Sequence, residues 1–246
     1  KSANKTARHS YEVNIQSQAA ACDSAPRVFF SDPRRGLTLM QYIDDPKDGP
    51  DSPAAIAQLL KSIHALPAQG MPTRSTDVLR DYLSYYFDGY FYPHLAHSFE
   101  PRNFLMASQT ALAKLLGEGL AIISRAMQAV DAQSDVRPVL CHNDLLQANR
   151  LRCGDRLYAL DWEYAAPGDP FFDIAVCASQ MSPRQANALL DLYLRRGPTP
   201  AEQQRFRGQC LIYACIEACW FTIHHPDTDP ARRSYAVLCG MLQTDG

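Results

Sequence analysis

Nowhere in its 246 residues does the chain run apolar for anything near the ~18 residues that a bilayer demands, and no charged-then-apolar leader opens it. No membrane partner is therefore expected. A surplus of either charge is missing as well. Lys and Arg number 24 against 26 Asp and Glu, for a formal net charge of −2, and they are scattered. That leaves no basic stripe of the kind nucleic acid requires. A disulfide framework is also lacking. Of the eight cysteines (Cys22, Cys141, Cys153, Cys177, Cys210, Cys215, Cys219, Cys239), most sit inside apolar runs, and their spacing resembles no small secreted scaffold. The expected compartment is the reducing cytoplasm. An initiator Met is absent before Lys1, consistent with a leading segment removed or omitted.

What remains is a globular chain, 46% hydrophobic, long enough for a sizeable core. RHSYEVNIQSQAAA (8–21) reads as a helix, and VFF and LTLMQYI around the turn DPRRG read as a hairpin. A polar, proline-bearing loop with Asp44, Asp45 and Asp48 follows. It is taken as a solvated exit from a front piece, residues 1–43, into the main body, residues 44–246. Ile56, Leu59, Leu60, Ile63 and Leu66 mark one core-facing helix, and Leu112, Leu115, Leu116, Leu120, Ile123, Met127 and Val130 mark a second, longer one. SPRQ (182–185) and TPAE (199–202) are capping boxes with Pro at the first helical position, and Gly197 is expected to close the helix between them.

The segment HNDLLQANRL (142–151) places polar groups inside a run that otherwise wants burial. After it, two short strands flank Gly154 and Asp155. A turn centred near Asp155 sets Asn149 opposite Asp161 and opens the loop bearing Asp144 at the same end. Oxygen-bearing side chains converging on a hairpin mouth suit two tasks, holding a hard cation and orienting a hydroxyl.

HNDLLQANRL followed by YALDWEYAAPGDPFFDIAV resembles the catalytic and metal-binding segments of the aminoglycoside phosphotransferase and choline kinase superfamily. His-Asn-Asp-Leu and Asp-Trp-Glu-Tyr are similar to the choline, ethanolamine and thiamine kinase-like branch. APRVFF, LTLMQYID and LLKSIHALP resemble further family segments in the right order. The resemblance implies an α+β, protein kinase-like two-lobe fold, with an incomplete β-rich N-terminal lobe and a large, mainly helical C-terminal lobe. It also implies an ATP-dependent, Mg²⁺-requiring kinase acting on a small-molecule hydroxyl. By position, Asp144 is the catalytic base, a role for which an ordinary pKa suffices, and Asn149 and Asp161 are the Mg²⁺ ligands. Glu12 is the helix glutamate on the nucleotide side, and Met40, Gln41, Tyr42 and Ile43 form the nucleotide-binding hinge. His142 braces the loop against the metal-motif backbone, and Asp173 is the buried aspartate that supports it.

The resemblance also implies an opening strand, a phosphate-covering loop and a strand carrying a basic partner for Glu12. None precedes Arg8. Either a front portion of about 50 residues lies outside this sequence, or the chain is shortened and inactive; the intact Asp144, Asn149 and Asp161 favour the first. Lys1 is not promoted to the missing cation on position alone.

The branch points to an acceptor with a cationic nitrogen, which wants aromatic faces and a carboxylate. Tyr213, Glu217 and Trp220 or Phe221 share a helix face, Trp162 and Tyr164 lie beside the metal motif, and Glu163 between them either meets the metal or a cationic substrate or only caps local backbone. Such aromatic stripes are more often core, but a carboxylate within one needs a partner. A rival aminoglycoside acceptor calls for a more acidic C-terminal pocket, and a kinase-like binding protein calls for no chemistry at all. Cys215, Cys219, His224 and His225 have the spacing of a zinc site, yet their apolar run favours packing.

Overall fold

The computed structural model describes residues 2–46, 49–68, 70, 72–87, 107–132 and 137–244. Lys1 and Asp48 lie outside them. The contacts gather the chain into two units, Lys1–Thr73 with Val136–Gln203 and Arg74–Asp135 with Gln204–Gly246. Within the first unit the Ala159 amide donates to the Ser24 carbonyl at 2.8 Å, tying the segment ahead of residue 43 to the central hairpin.

In the first unit, α1 (Ser2–Ala21) packs on an antiparallel hairpin, β1 (Val28–Asp32) and β2 (Leu37–Met40). His9 fastens helix to hairpin, its Nε2 lying 3.3 Å from Ser31 Oγ and 3.2 Å from Thr38 Oγ1, a cross-strand pair. The expected hinge leaves the strand at Met40. Gln41 continues it by one bond, donating to the Arg27 carbonyl at 2.7 Å, while Tyr42 is 84 % exposed and Ile43 is buried.

α2 (Pro53–His64) starts where Ser52 accepts from the Ala55 amide, and it buries the Ile56, Leu59, Leu60 and Ile63 face. β3 (Val139–Cys141) leads into the loop of interest and a 3-10 turn at Gln147–Asn149. β4 (Arg150–Cys153) and β5 (Arg156–Ala159) then pair, with Gly154 at φ +60 in the two-residue turn, a backbone state only glycine takes freely. β6 (Ala166–Gly168) pairs back on β3, and Asp169 caps α6 (Pro170–Ala178) by accepting from the Phe171 amide.

Ser182 and Gln185 cap α7 (Pro183–Leu194) reciprocally, and Thr199 and Glu202 do the same for α8 (Pro200–His224). Gly197 does not close α7. Arg195 does, in the left-handed region at φ 58.

In the second unit, α3 (Ser75–Phe87) is followed by α4 (Ala107–Glu118) and α5 (Leu120–Asp131), with α8 and α9 (Asp229–Thr244) completing it. The sequence suggests one helix through Leu112–Val130; it breaks at Gly119. A Cβ there would lie 2.6 Å from Leu242 Cδ1, so the missing side chain is the space Leu242 occupies. The break turns Leu120 outward, to 41 % exposure, while Ile123, Met127 and Val130 stay buried. None of the described helices is long and apolar enough to cross a membrane.

Ser182→Ala removes the acceptor for the Gln185 amide at 3.4 Å and should lower stability by about 1 kcal/mol. Urea unfolding checks this: the midpoint should fall with the slope unchanged, and an unmoved midpoint would refute the cap's contribution.

Candidate active site

The loop after β3 is shaped by one carboxylate. Asp173, wholly buried in the first turn of α6, accepts from the His142 amide at Oδ2 and the Asn143 amide at Oδ1, both at 2.7 Å. His64 Nε2, at the end of α2, lies 3.0 Å from the same Oδ2, and its Nδ1 lies 2.8 Å from the Tyr193 hydroxyl. Burial pushes the Asp173 carboxyl up, but the hydrogen bond and charge of His64, with the backbone donors, outweigh it and hold it below its ordinary value.

His142 is also fully buried, and its surroundings fix its tautomer. Nε2 donates to the Leu160 carbonyl at 2.8 Å, while Nδ1 accepts from the Asp144 amide at 3.3 Å. Burial lowers its pKa, so the ring stays neutral. Asn143 takes φ +66, a region asparagine tolerates, and its Nδ2 donates to the Tyr164 carbonyl at 2.9 Å. The loop is thus bonded to the segment after β5 on both sides of Asp161.

Asn149 and Asp144 are joined directly. Asn149 Nδ2 donates to both the Asp144 carbonyl and Asp144 Oδ2, each at 2.8 Å. Two acceptors at that end require the amide nitrogen there and leave the amide oxygen for another partner. The register differs by one from the sequence expectation: Arg150 pairs with Ala159, and the Leu160 amide donates to the Asn149 carbonyl at 2.9 Å. Asn149 therefore faces Leu160. The turn centres between Gly154 and Asp155 rather than on Asp155. Asp161 follows immediately, at φ +61.

Burial first, then the charge of Asp161, push Asp144 up to about 6, against the Asn149 hydrogen bond, with Glu163 and Asp173 adding to the rise. An aspartate of ordinary pKa would suffice for late proton transfer; burial, and after it the charge of Asp161, moves this one above that value. Glu12, on α1, is pushed up by burial and by Asp161 and Glu163, opposed by His9 and Arg8. Carboxylate and amide oxygens are the hard donors that suit Mg²⁺, but among the described residues Asp144, Asp161 and Glu163 do not gather closely enough to form one metal-sharing group.

Trp162 does not face this cluster. It is 0 % exposed, donates Nε1 to the Ala159 carbonyl at 3.3 Å and packs 4.8 Å from the His142 ring, so the expected substrate contact is corrected to core packing. Burial of its large ring outweighs its place beside Asp161. In the second unit Tyr213 donates to Glu217 at 3.0 Å, and burial raises the Glu217 pKa. Trp220, 36 % exposed, packs against Phe221, His224 and His225. Among the described residues Cys215, Cys219, His224 and His225 form no group able to share a metal; both thiols are buried. His64 is the supporting residue not named from sequence as part of the site. Its only signal was the resemblance of LLKSIHALP to a family helix end.

A loop that joins an aspartate to an asparagine five residues on, beside an acidic motif after a hairpin, is the arrangement of a kinase-like phosphotransferase. The model of the phosphotransferase enzyme family matches residues 11–206, and the chain belongs to that family. It is 37% identical to LicA of Haemophilus influenzae over 76 residues, 30% of this chain and 28% of that protein. The stretch aligned with this curated relative is thus under a third of its length. Among solved structures, a choline/ethanolamine kinase family protein from Mesorhizobium loti superposes with a TM-score of 0.73 at 20% identity, covering 96% of this chain and 78% of that one. An aminoglycoside phosphotransferase of Streptomyces rimosus, in complex with ADP and streptomycin, gives 0.57 at 16% identity, covering 88% and 85%. The fold is the protein kinase-like α+β fold.

Asp144 carries a stability signature. Its folded pKa of about 6 lies above the ordinary value of 3.8, so the native state holds this proton more tightly than the unfolded chain. Stability then falls as pH rises through about 4 to 6 and stays lowered above. Asp144→Asn should be more stable than the parent at about pH 7.5, by about 1–2 kcal/mol after solvent screening, with the gap closing near pH 4. Denaturant titrations at the two pH values measure it; a pH-independent gap would count against the crowded carboxylate.

Proposed function

We propose that the chain transfers the γ-phosphoryl group of ATP to the hydroxyl of a small amino alcohol or related cationic metabolite, of the choline, ethanolamine or thiamine kind. The observation that carries this reading is the paired hydrogen bond from Asn149 to Asp144, beside Asp161. The family membership, and the likeness to a choline/ethanolamine kinase family protein and to an ADP-bound phosphotransferase, support it.

In this reading the acceptor hydroxyl approaches Asp144. Its oxygen forms a bond to the γ-phosphorus as the bond from that phosphorus to the β-bridging oxygen breaks. The hydroxyl proton goes to the Asp144 carboxylate, and ADP leaves with the electron pair. Asn149, through its amide oxygen, and Asp161 would hold Mg²⁺, which supplies neutralisation of the phosphate charge. Phosphoryl transfer asks little covalent chemistry of the protein, so catalysis is mostly placement and electrostatics. Glu12 lies on the nucleotide side, and the backbone of Met40 to Ile43 is assigned to the adenine. Glu163 is assigned to the metal surroundings or the acceptor.

The test is ADP release by the full chain with Mg-ATP and a panel of choline, ethanolamine, thiamine, aminoglycosides and simple sugars. One acceptor should support turnover, and Asp144→Asn should reduce it by roughly 10²–10⁴-fold. kcat/KM should fall as pH drops through about 6, as Asp144 takes up its proton. Mg²⁺-dependent nucleotide binding with no ADP release for any acceptor would instead favour a kinase-like binding protein.

A further inference from the structure

Arg150 is a charged side chain that the chemistry above leaves unused, and it is almost wholly buried. Its Nε donates to Asp51 Oδ2 at 2.8 Å and its Nη1 to the Leu145 carbonyl at 2.7 Å. The side chains of this ion pair are 3% and 7% exposed. The same Leu145 carbonyl accepts from the Cys177 thiol at 3.4 Å. Two residues on, along the same face of β4, Arg152 Nη2 reaches the Gly49 carbonyl at 3.5 Å.

Burying both charges costs desolvation that a well-packed apolar pair would avoid, so stability alone does not account for them. Their places in the chain do. Leu145 directly follows Asp144, and Arg150 directly follows Asn149. Asp51 precedes Ser52, the cap of α2, and α2 ends in His64, which binds Asp173. One helix is therefore fastened at both ends to one loop: through Asp173 to His142 and Asn143, and through Asp51 and Arg150 to Leu145. The guanidinium fork serves two acceptors at fixed geometry, which an ammonium cannot do.

We infer that Arg150 and Asp51 form a positioning pair that holds Asp144 and Asn149 at the separation phosphoryl transfer requires. This rests on the function proposed above. Neither residue touches the reacting atoms; they act through the Leu145 carbonyl and the backbone at Asn149.

The decisive variant is the double substitution Arg150→Met with Asp51→Leu, since either single change leaves a buried charge unpaired and destabilises the fold. In the full chain, hydrogen exchange of the Leu146 and Asn149 amides, bonded to the Asp144 and Leu146 carbonyls at 2.9 Å, reads loop order without turnover. The double variant should keep its melting temperature, exchange these two amides at least about tenfold faster and leave α6 and α7 protection unchanged. With an active acceptor, kcat should fall about tenfold or more with KM for ATP unmoved. Parent-like exchange at a parent-like melting temperature would overturn the pair's role and reduce it to packing. Should the double variant fail to fold, Arg150→Lys decides: it keeps the charge and loses the fork, so faster exchange supports the clamp and parent-like exchange overturns it. Lost protection in a protein that phosphorylates nothing would defeat the proposed function and leave the clamp standing.

Discussion

The buried Asp173 carboxylate is the constraint around which the site is organised. An ionised group with no access to water must find full compensation inside the protein. Here the backbone amides of His142 and Asn143 and the Nε2 of His64 provide it. Its place in the first turn of α6 adds the positive end of the helix dipole. Because two of the three partners belong to the loop, satisfying the charge and folding the loop are one event. The far nitrogen of His64 lies 2.8 Å from the Tyr193 hydroxyl, whose pKa burial pushes up.

From that anchor the rest of the loop follows bond by bond. With its amide held, His142 can turn its ring to meet the Leu160 carbonyl on one side and the Asp144 amide on the other. Asn143 and Asp161 adopt left-handed backbone at the two points where the chain turns toward the cluster, a conformation that persists where surrounding bonds over-determine it. The outcome leaves Asp144 and Glu12 each in the field of Asp161 and Glu163. Burial first, and the charges of Asp161 and Glu163 after it, raise the pKa values of Asp144 and Glu12, an unfavourable term that the surrounding hydrogen bonds sustain.

How much of this was legible in the sequence depended on whether the signal was local. HNDLLQANRL pointed to Asp144 and Asn149, which the structure joins by hydrogen bonds, and the capping boxes named their helix starts. What sequence misplaced was set by partners far along the chain. Ala-Pro-Gly carries no strand propensity, yet β6 forms because β3 lies beside it, and its Pro167 carbonyl accepts from the Thr73 amide. The break at Gly119 depends on Leu242, more than a hundred residues later. The hairpin register turned on half a residue of turn geometry, enough to move Asn149 from Asp161 to Leu160. Trp162 was drawn toward the site by its neighbours in sequence and into the core by its area, and at 0 % exposure the area prevailed.

The two fastenings of α2 differ in a way that bears on how such a loop keeps its shape. A helix of 12 residues is a rod of about 18 Å, stiff over its length. Pinned at one end only, it would fix His142 and Asn143 and leave the five residues from Asp144 to Ala148 to their own local bonds. The second pin, Arg150 to Asp51, ties the far side of the same loop to the same rod. Motion of Asp144 relative to Asn149 must then strain the helix or break a buried ion pair, both costly. Phosphoryl transfer by placement, the function proposed for this chain, would call for that kind of stiffness, and the buried charges are a means of supplying it.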